Sequence, residues 1–342
     1  MKFWSSLAVT TAALAFGANL AIAADVASFY KGRTITLDIG YSAGGGYDIY
    51  ARVLARHLGD HIPGNPTVIP QNMPGAGSLK AANYLYNIAP KDGTVLATFA
   101  RGMAMEPLLD TQGIEFDAQK LTWIGSITNE VSVCAFRSDS GIATWQDMLT
   151  KQFTVGGTGS GSDTDVFPNA LRNLFHMNMK LATGYPGGED VVLALERGEV
   201  NGRCGWSWSS LLSRNRALYE SKQIVVPVQL SLQKHEDLPN VPLVMDLTND
   251  PKIKAALKLI FARQTLARPY AAPPGLPADR VQALRDAFDA TMTDPAFLAE
   301  AKQTDLEVRP VSGAEMQKLV AEIYQTPPDV VKIAADAIKS AN

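Results

Sequence analysis

One pattern occurs twice in this chain and limits its fold more than any other feature: a strand-like run, a glycine-rich turn, then a helix. Thr34–Ile39 reads as strand and residues 40–46 as the turn. Residues 47–58 carry Ile49, Val53, Leu54 and Leu58 at the spacing of one helical face. The second copy is a strand at 153–156, a turn at 156–162 and a helix over Asp163–Phe175, with Val166, Ala170, Leu171 and Leu174 on one side. The copies lie roughly 115 residues apart, well beyond the 20–50-residue period of a stacked repeat. They predict two similar lobes. Further strands are expected at 67–69, 94–99, 131–136, 200–205 and 224–230. Helices are expected at 79–85, at 189–197 with Val192, Leu193 and Leu195 inward, at 252–262, at 279–291 and at 312–324. Strands alternating with helices predict an α/β fold with parallel sheets.

The first residues stand apart from this pattern. Lys2 is followed by an apolar and small-residue run over 7–22, and Ala21-Ile22-Ala23 is a small-x-small cleavage site. This is the signature of a secretory signal peptide, with cleavage expected after Ala23. No later stretch has the roughly 18 unbroken apolar residues of a membrane span. The chain has 31 basic and 34 acidic residues; removal of Lys2 leaves 30 against 34, a mature net charge of -4. With no long basic run, nucleic acid and anionic membranes are unlikely partners. Cys134 and Cys204 are the only cysteines. An oxidising compartment permits their pairing, two buried thiols fit as well, and no CxxC or Cys/His cluster points to a metal.

Two chemistries compete for the first glycine turn. Gly40-Tyr41-Ser42-Ala43-Gly44 matches the G-x-S-x-G of a hydrolase nucleophile elbow, and it sits between a strand and a helix. Against it, little mature chain precedes Gly40, and no oxyanion motif appears. The four histidines, His57, His61, His176 and His235, fit the Ser…Asp…His order poorly. The other chemistry is anion capture. A helix start offers unpaired N–H groups and partial positive charge, and glycines let a ligand approach the backbone. Gly44, Gly45 and Gly46 do this in the first turn; Thr158, Gly159, Ser160, Gly161, Ser162 and Asp163 do it in the second, with hydroxyls at Ser42, Thr158, Ser160 and Ser162. Neither turn has the lysine of a phosphate loop or the G-x-G-x-x-G of a dinucleotide site, so no cofactor is expected. Asp48 is read equally as a helix-start cap or a ligand contact. Arg101, with Gly102 beside it, and Arg203 are candidates to neutralise a second carboxylate, although surface exposure is the more ordinary state for each arginine. Tyr185, Trp206 and Trp208, around Gly205, are candidates for an aromatic pocket wall or for core.

The residues Gly44-Gly45-Gly46-Tyr47-Asp48, Asn72-Met73-Pro74-Gly75-Ala76-Gly77, Pro90-Lys91-Asp92-Gly93-Thr94, the second glycine turn, and Leu195-Glu196-Arg197-Gly198-Glu199-Val200 stand in an order and spacing that is specific as a set. In them the chain resembles the receptors of tripartite tricarboxylate transporters, the Bug or TctC-type periplasmic binding proteins. The resemblance implies a type II periplasmic-binding-protein fold, with two α/β lobes closing on a ligand. It divides the chain into 24–127 with 263–342 as the first lobe and 128–262 as the second. It further implies a non-catalytic, periplasmic and monomeric receptor that holds a small carboxylate on Tyr41–Asp48 and Thr158–Ser162 and delivers it to membrane permease subunits or a sensor. Ala43 stands where the family commonly has proline, and residues 183–188 differ from the family's second-lobe loop. If Cys134 and Cys204 fall on neighbouring strands of that lobe, a cross-strand disulfide is expected. A secreted esterase built on Ser42 is the competing reading.

Overall fold

The computed structural model describes residues 25–109 and 112–340; the expected leader at 1–23 falls outside the described residues. The strands, in chain order, are β1 (Thr34–Ile39), β2 (Thr67–Asn72), β3 (Val95–Thr98), β4 (Thr122–Ser126), β5 (Ser132–Arg137), β6 (Phe153–Gly156), β7 (Met179–Ala182), β8 (Gly202–Ser207), β9 (Ile224–Leu230), β10 (Pro269–Ala272) and β11 (Val311–Ser312). They form two sheets, ordered β11-β4-β10-β3-β1-β2 and β7-β6-β8-β5-β9. The longer helices are α1 (Gly46–His61), α2 (Leu79–Asn87), α3 (Asp163–Phe175), α4 (Gly188–Glu196), α5 (Trp208–Glu220), α6 (Pro251–Phe261), α7 (Ala278–Thr293), α8 (Pro295–Gln303), α9 (Gly313–Ile323) and α10 (Pro328–Ile338).

Each sheet has its own core. In the first, Ile35, Leu37 and Ile39 of β1 bury against Val53, Leu54 and Leu58 of α1 and Leu284 and Phe288 of α7. In the second, Phe153 and Val155 of β6 meet Val166, Phe167 and Leu171 of α3 and Ile260 and Phe261 of α6. Each such side chain contributes about 1.5–3 kcal/mol by leaving water. The face of α4 is Val191, Val192 and Leu195; Leu193, expected inward, is 48% exposed. It lies about 200° around the helix from Val191, at 100° per residue.

The sheets are mixed where parallel ones were expected. β1, β2 and β3 run parallel, as do β6, β7 and β8, but β10 opposes β3 and β4, and β5 opposes β8 and β9. The reason is the route of the chain. β5 is the first strand after the chain leaves the first sheet, and β10 the first after it returns. Both enter from the cleft, which lies at the carboxyl ends of the parallel strands, so both must run the other way. The chain crosses between the sheets at residues 127–131 and 262–268. The expected assignment of 263–342 to the first lobe fails at its end: α10 packs on α3 and α6. Its Ala334 and Ala337 join the second core, where its apolar face finds cover. The chain therefore passes between the lobes a third time, at 324–327.

A disulfide joins Cys134 of β5 to Cys204 of β8, antiparallel neighbours in the second sheet. Both residues are buried. The cysteines are 70 residues apart, so closing that loop restricts the unfolded chain by about 4 kcal/mol on the chain-entropy account. Thiol titration of the unreduced, denatured protein is expected to find no free thiol, and reduction is expected to lower the denaturant midpoint. Two titratable thiols would contradict the pairing.

Candidate functional site

The strand order selects where a ligand meets this fold. In the first sheet β1 lies between β2 and β3, so the connections leaving β1 and β3 depart to opposite sides and a crevice opens at their carboxyl ends. In the second sheet β6 lies between β7 and β8 in the same way. The loops after β1 and β6 are the two glycine turns. The crevices face each other, and between them is a cavity of about 50 Å³.

Four helices begin at this cavity. Gly45 and Gly46 open α1, Asp163 and Thr164 open α3, Gly188 opens α4, and Ser207 and Ser210 belong to the start of α5. The residues preceding these helices, Gly45, Ser162, Gly187 and Ser207, make no side-chain cap. The first N–H groups of α1, α3 and α4 and their partial positive charge thus converge on one space, while those of α5 are taken by the Val131 carbonyl oxygen and Glu130 Oε1. Glycine is required at two of these places by contact with the opposite lobe or neighbouring chain. A Cβ on Gly46 would fall 2.0 Å from Ser210 Oγ, and one on Gly205 (φ +73°) 2.3 Å from the Asp163 carbonyl oxygen.

Arginines complete the wall. The Arg101 guanidinium donates through Nε to Asp163 Oδ2 at 2.5 Å and through Nη2 to Ser207 Oγ at 2.7 Å; its backbone N–H donates to the Tyr47 hydroxyl. Arg268 donates through Nη2 to Glu130 Oε2 at 3.1 Å and Ser210 Oγ at 2.9 Å, and its guanidinium stacks on Tyr47 and Tyr50. Behind them Arg263 pairs with Glu106 and Asp163. Arg203 differs: Nη1 donates to the Gly188 carbonyl oxygen, its guanidinium lies 4.9 Å from the Trp206 ring centre, and among the described residues it makes no ion pair. Burial pulls its pKa down to about 10, and the Glu189 carboxylate offsets only part of that. Arg101, Arg268 and Arg263 thus each have a buried acid as partner, Asp163, Glu130 and Glu106, and Arg203 has none. The side-chain atoms Arg101 Nη1, Arg203 Nε and Arg268 Nε are buried without a hydrogen-bond partner.

Of the residues expected from sequence, Tyr41, Gly45, Gly46, Tyr47, Arg101, Thr158, Asp163, Arg203 and Gly205 line the cavity. The others do not. Asp48 holds the loop from behind: it accepts from the Gly44 N–H, Arg52 Nε and Asn72 Nδ2. Burial raises its carboxyl pKa, and these donors outweigh burial and hold it below the usual carboxylate range. This is the capping role. Ala43 and Ser160 are exposed. Gly102 sits under Arg263 and the Gly161 carbonyl oxygen, and Gly159 sits against Gly77. Ser162 turns back to the Gly159 carbonyl oxygen. The loop's own donors are internally engaged, with Thr158 N–H on Thr164 Oγ1 and Gly159 N–H on Asp165 Oδ1. Tyr185 and Trp206 pack in an apolar cluster with Trp208. Arg101 and Arg203 are 2% and 8% exposed, and neither stands at the surface.

Thr164, Gly188, Ser207, Ser210 and Arg268 line the cavity without having been singled out. A signal existed for the serines: Ser207, Ser209 and Ser210 follow a strand and open a helix, a third copy of the unit with hydroxyls in place of glycines. Ser42 spans the lobes, donating to Asp190 Oδ2 at 2.7 Å. It has no histidine partner among the described residues. His57 bonds Glu300, His61 bonds Asp294, His235 contacts Glu307 and Asp237, and His176 closes the far end of α3. A hydrolase elbow needs a base at its serine, and this one lacks it.

Residues 50–336 match the family described as tripartite tricarboxylate transporter family receptor. A Cupriavidus necator protein described as "UPF0065 protein in gbd 5'region" is 27% identical over 330 residues, covering 93% of this chain and 92% of its own. The structure of the periplasmic binding protein BugD superposes with a TM-score of 0.72 at 19% identity, over 90% of this chain and 98% of BugD. MatC from Rhodopseudomonas palustris, solved with bound malate, gives 0.69 at 16% identity, over 90% and 99%. A further R. palustris protein, solved with adipate, gives 0.69 at 17% identity, over 88% and 97%. The fold is that of the periplasmic binding proteins.

Proposed function

Because the chain belongs to the tripartite tricarboxylate transporter receptor family, a family of binding proteins and not of enzymes, we propose that its ligand is a small organic carboxylate held in the cavity between the lobes. The observation that carries this reading is the convergence of three helix starts, α1 from one lobe and α3 and α4 from the other, on a cavity lined by the buried guanidiniums of Arg101, Arg203 and Arg268, of which Arg203 makes no ion pair among the described residues. Backbone N–H groups and buried guanidinium donors bind a carboxylate in the charged form without proton transfer, and their charge-assisted hydrogen bonds are about twice as strong as neutral ones. The malate and adipate bound in two proteins of the same fold support the same ligand class.

Capture follows from the hinge. An acid entering the open cleft meets the starts of α1 on one lobe and of α3 and α4 on the other. Closure lets both sets of donors reach it at once and excludes water from the charges. The leader expected at 1–23 and the likeness to periplasmic binding proteins support a periplasmic location for the mature protein. The closed form then delivers its acid to membrane permease subunits of a tripartite transporter, or to a sensor.

A thermal-shift screen of the mature protein against mono-, di-, tri- and aromatic carboxylates tests the reading. Binding at 100 times Kd stabilises the folded state by about 2.7 kcal/mol, a rise of several degrees in midpoint for a protein of this size. A rise with one acid class and no consumption of that acid is the expected result. No rise with any carboxylate would overturn the assignment.

A further inference from the structure

Three of the four buried arginines around the cavity have a buried acid as partner, and one does not. Asp163 answers Arg101, Glu130 answers Arg268 and Glu106 answers Arg263. Arg203 is left with a carbonyl oxygen, the face of an indole and an Nε–H that is buried and bonded to nothing among the described residues. A buried cation without an ion pair is costly, and an anion arriving at it lowers that cost. The starts of α1, α3 and α4 already suit a first carboxylate. Their charge is partial and shared, and it leaves Arg203 without a paired anion.

We propose that Arg203 is a specificity-determining residue that makes this receptor selective for dicarboxylates over monocarboxylates, with the second carboxylate paired to its guanidinium. The inference rests on the carboxylate reading above and adds to it the class of acid and the residue that chooses it. Arg203 sits on β8 one residue before Cys204, whose disulfide to β5 fixes the strand. Its guanidinium is further held by the Gly188 carbonyl oxygen and Trp206, so it meets the ligand already oriented.

The test is calorimetric titration of wild type, Arg203→Gln and Arg203→Lys with acetate, malonate, malate, adipate and benzoate, each variant first checked for an unchanged melting curve. In wild type, the tightest-binding diacid among malonate, malate and adipate is expected to bind at least 100-fold more tightly than acetate or benzoate. Arg203→Gln is expected to reduce the diacid-to-acetate ratio at least tenfold, and Arg203→Lys to restore part of it. A residue that only held the fold would weaken all acids alike, and that result would overturn the assignment. So would wild-type protein that binds acetate as tightly as the tightest-binding diacid. If the glutamine variant unfolds, the lysine variant and the wild-type ratios still decide. Binding of no carboxylate at all would instead overturn the receptor reading of this cavity.

Discussion

Replacing Gly77 with alanine is expected to weaken ligand binding at least 100-fold, about 2.8 kcal/mol, while both lobes stay folded. Gly77 lies in the loop before α2, and its N–H donates across the cleft to the Thr158 carbonyl oxygen at 3.1 Å. A Cβ there would stand 2.5 Å from the Ser160 carbonyl oxygen and 2.6 Å from that of Gly159. Both are main-chain atoms and cannot swing aside, so the only relief is for the lobes to part. The loop has little freedom to adjust, because Gly75, Ala76, Gly77 and Ser78 all hold positive φ, a conformation that costs ordinary residues about 1–2 kcal/mol each. Gly141→Ala supplies the control: its φ is +78° and nothing lies within 4 Å, so it carries the backbone strain without the collision. Calorimetric titration with the tightest-binding acid should separate the two. Equal affinities would mean that these loops do not meet in the bound form.

The second large effect concerns stability. Arg268→Met is expected to cost about 3–5 kcal/mol in a urea unfolding titration, because it abandons a buried carboxylate. The side chains of Arg268 and Glu130 are 1% and 0% exposed. Arg268 also donates to the hydroxyls of Ser209 and Ser210, and Glu130 accepts from Ser209. These residues sit on the two crossings, so their pair ties the hinge to α5. Adding Glu130→Leu to Arg268→Met should recover much of the loss, since replacing a whole buried pair is far cheaper than removing half of it. A double variant no more stable than the single one would show that the serine contacts, and not the stranded charge, set the cost.

Much of this architecture was legible in the residues. The two strand–turn–helix units are local patterns, and both turned out to stand at the switch points of their sheets. The lobe boundaries at 128 and 262 came from the resemblance and from no local pattern. What failed was whatever depends on partners distant in sequence. Arg101 and Arg203 read as surface residues because arginine is seldom buried; their burial rests on Asp163, Ser207 and Trp206, which no local pattern links to them. The backbone donors of residues 158–162 read as free because nothing local shows that Thr164 and Asp165 turn back to take them. No helix was expected beyond residue 324, and which lobe the apolar face of the C-terminal helix covers is set by α3 and α6, some 70–170 residues upstream.

That last helix limits how the receptor moves. Two neighbouring crossings alone would leave the lobes free to swing widely about the line between them. The link at 324–327 adds a tether away from that line. Four residues fully extended span at most ~14 Å, and this link begins at the end of α9 on one lobe and ends at the start of α10 on the other. The gape of the unliganded protein is therefore capped by the slack in a four-residue strap, and any wider opening must unwind the last turn of α9 or the first of α10.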